Sequence, residues 1–136
     1  MSEEIILRNF RHLEETVGMT PGLRFPVKPQ YGFSAVVDVS GTGVTSQELT
    51  ISLFKRNVAV YPGDGLGDNG ATEYMRLNFS QPEIRAFERL REALPEAIAE
   101  ARSGLYRDKI IAFFERTDTE RGRTIIERLR KRPEAA

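Results

Sequence analysis

Cysteine is absent from this 136-residue chain, and histidine occurs once, at His12. Without cysteine there is no disulfide, no thiolate nucleophile and no cysteine-ligated metal, a composition that suits a reducing cytoplasm. With one histidine, neither a histidine metal cluster nor a His-dependent triad can be assembled within the chain, and no metal site is expected. An excess of charge is lacking too. Twenty basic and twenty acidic side chains cancel, so no global field draws the protein to nucleic acid or to an anionic membrane, and neither is expected as a partner. No apolar run approaches the roughly 20 residues of a membrane span. The acidic start Ser2-Glu3-Glu4 is wrong for a signal peptide, and the expected location is the cytoplasm.

What is present reads as one domain with an added tail, since a chain of this length can bury a core but cannot build two ordinary domains. Ile6, Phe10, Leu13 and Val17 fall at helical spacing, and Gly18 with Pro21 ends that run. Leu23 to Val27, broken by Pro26, reads as a short edge segment. Phe33 to Val39, bounded by Gly32 and Gly41, is the strongest strand of the first half. Thr45 and Glu48 have capping-box spacing, opening a helix whose apolar face would be Leu49, Ile51, Leu53 and Phe54. Asn57 turns the chain into a strand over Val58–Tyr61. A glycine-rich loop follows, and Tyr74 to Phe79 alternates as a second strand.

Ser80 with Glu83 forms a second capping-box pattern, with Pro82 in the first turn of the helix it would begin. Ile84, Phe87, Leu90, Leu94 and Ile98 give this helix a continuous stripe, which Pro95 should kink or interrupt near Arg91. The order of elements predicts an α+β fold: a small three- to four-stranded mixed or antiparallel sheet with helices packed on one face. The division expected is a compact unit over 1–103 and a helical C-terminal extension over 104–136. Two short amphipathic helices, Tyr106 to Phe114 and Thr124 to Leu129, would make up that extension, and its end is rich in arginine and lysine. It reads as a solvated, partly frayed surface tail, with contact to an anionic partner as the other use of its charge.

Several patterns suggest chemistry and fail on context. Gly65-Leu-Gly-Asp-Asn-Gly70 spells GxGxxG, but a dinucleotide fingerprint needs a helix after it and the pattern here leads into a strand. Ser52-Leu-Phe-Lys55 spells SxxK on a helix whose neighbouring positions are apolar, without the partner motifs of an acyl-transfer serine. Asp64 and Asp68 suit turn formation better than cation binding, and Asp38 reads as a polar residue at a turn. His12 reads as a solvated helix residue, with a partner contact as the alternative.

Arg76 is different. Alternation puts Tyr74, Arg76 and Asn78 on one face of their strand and Met75, Leu77 and Phe79 on the other, which should pack on the helices. An aromatic ring, a planar fork of donors and an amide suit a carboxylate held bidentately. A surface or salt-bridged strand arginine facing Glu73 or Asp38 is the competing reading.

The order Lys28-Pro-Gln-Tyr-Gly-Phe33, Val36-Val-Asp38, Val58-Ala-Val-Tyr-Pro-Gly63, Gly67, Glu73-Tyr-Met-Arg-Leu-Asn-Phe79 and Ser80-Gln-Pro-Glu83 resembles the C-terminal small domain of class I/II aminotransferases. These are pyridoxal-phosphate enzymes of fold type I, and related carbon–sulfur lyases share the domain. The resemblance covers about residues 1 to 100. It implies that Arg76 binds the α-carboxylate of an amino-acid substrate and that the backbone at Tyr31 and Gly32 lines the substrate side of the cleft. Leu66 stands where the family usually has phenylalanine, which bears on loop shape and substrate preference.

The family's large domain, with its Schiff-base lysine, the aspartate that meets the pyridine nitrogen and the phosphate cup, is not among these residues. Lys28, Lys55, Lys109 and Lys131 all lie in small-domain or tail segments. The implied role is therefore substrate recognition by one half of an enzyme, with no catalytic or cofactor-binding residue of its own and no pyridoxal phosphate bound by this chain alone. A large-domain chain is the expected partner. The alternative is a non-enzymatic module that retains the fold for oligomerisation, as a homo-oligomer, or for ligand binding.

Overall fold

The computed structural model describes residues 3–26, 34–63, 70–78 and 83–131. Helix α1 spans Glu3–Met19, strand β1 Ser34–Asp38, helix α2 Ser46–Phe54 and strand β2 Tyr61–Pro62. A single helical turn, α3 (Gly70–Glu73), leads into strand β3 (Tyr74–Asn78), followed by helices α4 (Arg85–Arg102), α5 (Arg107–Thr117) and α6 (Glu120–Lys131). The fold is α+β, as the order of elements implies.

Strand β3 lies in the middle of a three-stranded antiparallel sheet of order β1-β3-β2. Its register sets Val36 and Tyr61 directly opposite Arg76, one on each side. Because side chains alternate, Ala35, Val37, Met75 and Leu77 all point to one face, where they are buried with Leu13, Leu49, Leu53, Leu90 and Leu94 of α1, α2 and α4. On the opposite face, among the described residues, Ser34, Arg76 and Asn78 are exposed and Val36 and Tyr74 are half-buried. Arg24 extends the sheet by one bridge to Asp38, and Leu23 beside it reaches the core.

The capping box at α2 forms as the spacing predicts: Thr45 accepts from the Glu48 amide, while the Glu48 carboxylate accepts from the Thr45 amide. Two orphan donors of the first turn are satisfied together. The apolar face of α2 is narrower than expected, because Leu49 and Leu53, one turn apart, are fully buried whereas Ile51 is partly exposed and Phe54 is 71% exposed. Asn57 adopts a left-handed φ of 63° and turns the chain toward β2. That strand is only two residues long, although Val58 and Val60 before it are buried.

Helix α4 runs unbroken through Pro95. The ring is on the exposed side, while Leu90, Ala93 and Leu94 before it and Ala97, Ile98 and Ala101 after it anchor both halves to the core. Packing thus outweighs the missing amide donor. Of the second capping-box pattern, Ser80 and Pro82 lie outside the described residues, and the helix is assigned from Arg85 with no side-chain cap at Ile84.

The two C-terminal helices do not fray apart. They form a hairpin with an apolar cluster of its own: Tyr106, Ile110 and Ile111 against Ile125, Ile126 and Leu129. It is fastened to the rest at two places. Arg128 reaches Glu73 at 3.3 Å, and Tyr106 donates to Glu100 of α4.

Candidate functional site

The sheet face opposite the core holds the candidate site. Arg76 stands on its central strand, exposed, with Val36 half-buried on one side and Tyr61 on the other. Its guanidinium carbon is 5.7 Å from the centroid of the Tyr61 ring. Both acids that could have neutralised it are committed elsewhere. Asp38 is 2% exposed and receives Arg24 Nε at 2.9 Å and the Ser40 amide and hydroxyl at 2.8 and 2.6 Å. Glu73 pairs with Arg128. Among the described residues Arg76 therefore has no carboxylate partner, so the salt-bridged form of the competing reading does not hold, whereas its exposure agrees with the surface form.

Asp38 is held below the usual carboxylate range by these hydrogen bonds and the Arg24 charge, which outweigh the opposing effect of burial. It anchors the turn after β1. Tyr74 and Asn78 share the face of Arg76, as alternation predicts. Tyr31 and Gly32, the other residues expected to meet substrate, lie outside the described residues, as do Asp64, Asp68 and Leu66 of the glycine-rich loop. Gly70 opens α3 rather than a strand, which corrects the expected transition. One helical turn precedes β3, far short of the helix a dinucleotide fingerprint requires. Tyr61 escaped the sequence reading, since only the β2–β3 register brings it beside Arg76.

A second polar cluster ties α2, α4 and α5 together around Glu100. Tyr106, Arg56, Lys55 and Ser52 all donate to its carboxylate. The Tyr106 hydroxyl foremost, then the Arg56 and Lys55 donors, lower its pKa from 4.5 to about 2. The SxxK pattern is thereby accounted for. Ser52 donates to the Ala97 carbonyl at 2.9 Å, and Lys55 Nζ lies 3.4 Å from Glu100 and 5.2 Å from the Tyr106 ring centroid.

His12 is half-buried rather than solvated. Its ring meets Phe87 edge-on with centroids 6.4 Å apart, and Nδ1 has no hydrogen-bond partner. Burial, then the charge of Arg91, pushes its pKa down.

Lys55 does not fit the imine-forming role of a pyridoxal-phosphate site. Such a lysine is desolvated and its pKa lowered, whereas Lys55 is on the surface with its pKa raised, first by Tyr106 and then by Glu100. Lys131 pairs with Glu127 at 2.7 Å, and Lys109 is exposed at the rim of an apolar groove. Lys28 lies outside the described residues. No group of three or more histidine, cysteine or acidic residues among the described ones could hold a metal ion. No described helix is long and apolar enough to cross a membrane.

No family model matches the chain, and no curated protein does. Among solved structures, the chain is similar to a pyridoxal-phosphate-bound protein of Clostridium difficile 630 assigned as an aminotransferase and crystallised with magnesium formate. The identity is 26% and the TM-score 0.52, over 71% of this chain. The chain spans 24% of the length of that neighbour. An aminotransferase-related fold is what this likeness supports.

Proposed function

We propose that this chain is the small-domain half of a pyridoxal-phosphate-dependent, aminotransferase-like enzyme, and that Arg76 receives the α-carboxylate of its amino-acid substrate. The observation that carries the reading is the exposed guanidinium on the middle strand of the sheet, without a carboxylate partner among the described residues and flanked by Val36 and Tyr61. A guanidinium fork matches a carboxylate in two parallel hydrogen bonds, each strengthened by charge. In this reading Tyr31 and Gly32 line the same cleft. The imine-forming lysine and the phosphate cup would come from a large domain outside these 136 residues.

The chain mixed alone with pyridoxal phosphate is expected to show no lysine-bound visible absorbance and no amino-acid turnover. Adding a matching large-domain chain should restore both. A stable visible band formed by this chain alone would overturn the division of labour.

One feature favours the alternative, a module that uses the fold for association. Between α2, β2 and α5 lies an apolar groove of about 380 Å³, lined by Ile51, Pro62, Ile110, Phe113 and Phe114. A surface of that character suits a second copy of the chain.

A further inference from the structure

Among the described residues no carboxylate holds Arg76, yet a carboxylate site works best when its donors are already in place, because every side chain frozen on binding weakens the complex. A long, exposed strand arginine has wide rotamer freedom. Three features of β2 restrict it. Tyr61 is the residue directly opposite Arg76 in the antiparallel register, a position where cross-strand side chains touch. Pro62 follows, which disfavours helical backbone at Tyr61 and keeps it in the extended conformation that pairs with β3. The ring centroid is 5.7 Å from the guanidinium carbon, within the range of a cation–π contact.

We infer that Tyr61 is the positioning residue for Arg76, holding its guanidinium ready for a small carboxylate; this rests on the carboxylate reading proposed above. The two interactions are compatible in geometry. A ring engages a guanidinium over its face, whereas a carboxylate accepts from the N–H groups in its plane. Val36 closes the other flank of Arg76 with an apolar side chain that offers no competing acceptor. The aromatic surface, not the phenolic hydroxyl, carries the role. Arg24, the other arginine on this face, is no rival, since Asp38 already occupies it at 2.7 Å.

The test follows the arginine Nε–H resonance of Arg76 in the full chain during titration with pyruvate, a carboxylate without an ammonium group. In the unsubstituted chain that resonance should carry a ring-current shift from Tyr61 and move further as pyruvate binds. Tyr61→Leu should abolish the ring-current shift and weaken pyruvate about two- to fivefold, the range of an exposed cation–π contact. Tyr61→Phe should preserve both. An Arg76-dependent response that Tyr61→Leu leaves at full strength overturns this inference alone, as does a Tyr61→Phe chain as weak as Tyr61→Leu. If pyruvate gives no Arg76-dependent response in the unsubstituted chain, the carboxylate reading fails and takes this inference with it.

Discussion

Gly22→Ala is expected to cost about 3–4 kcal/mol and to lower the thermal midpoint by about 15 °C. Two independent causes combine at this residue. Gly22 has φ +90°, which a side chain rarely tolerates, and a Cβ built there would lie 2.6 Å from the Gly41 carbonyl carbon and 2.7 Å from the Thr42 amide nitrogen. Those are backbone atoms and cannot rotate away. Gly41 reciprocates, since its own Cβ would meet the Gly22 carbonyl oxygen at 2.8 Å. This backbone crossing joins the turn after α1 to the turn after β1, next to the Arg24–Asp38 bridge that extends the sheet. Gly18→Ala provides the control. It lies within α1 with nothing within 4 Å of a Cβ, and alanine there should stabilise by about 0.5–1 kcal/mol. Thermal denaturation followed by circular dichroism separates the two, and equal effects would contradict the crossing.

Glu100→Gln is expected to cost about 2 kcal/mol at pH 7, because charge-assisted hydrogen bonds converge on one carboxylate and the amide cannot replace them. The effect should depend on pH in a defined direction. The folded pKa is lowered from 4.5 to about 2, so the stabilisation is fully present above pH 4.5 and is lost as pH falls toward 2. The unsubstituted chain should therefore lose stability across that window more steeply than the variant, and the two should converge near pH 2. Urea denaturation at pH 7, 4 and 2.5 measures it. Parallel curves at all three would show that Glu100 is not the anchor of this cluster. Since Tyr106 is among its donors, the loss should also loosen the attachment of the α5–α6 hairpin.

The two faces of β3 and the start of α2 were legible in the sequence because they depend on local rules. Period-two alternation assigned Met75 and Leu77 to the core and Arg76 to the opposite face, and the Thr45/Glu48 spacing located the start of α2. What alternation could not supply was register. Which residues stand opposite Arg76 depends on how β1 and β2 slide along β3, so Tyr61 emerged only from the assembled sheet. Competition for acids was equally non-local. Asp38 and Glu73 are plausible partners by sequence, but Arg24 and Arg128, distant in the chain, claim them first. The same limit explains the tail, where alternate faces of two short helices become a hairpin only when Ile110 and Ile111 meet Ile125 and Ile126. Phe54 erred in the other direction. Its apolar character suggested a core position, but it is the residue next to Leu53, rotated about 100° around α2 from the buried Leu49–Leu53 side, and is 71% exposed.

The central claim is that Arg76, without a carboxylate partner among the described residues, is placed to accept one. Calorimetric titration of L-alanine into the full chain and into Arg76→Ala at pH 7 tests it most directly. Two charge-assisted hydrogen bonds on an exposed guanidinium correspond to a dissociation constant of about 1–10 mM. The account predicts saturable binding in that range for the unsubstituted chain, weakened at least about tenfold in Arg76→Ala, where the fork and both bonds are lost. Equal binding by the two chains, or none by either, would contradict it.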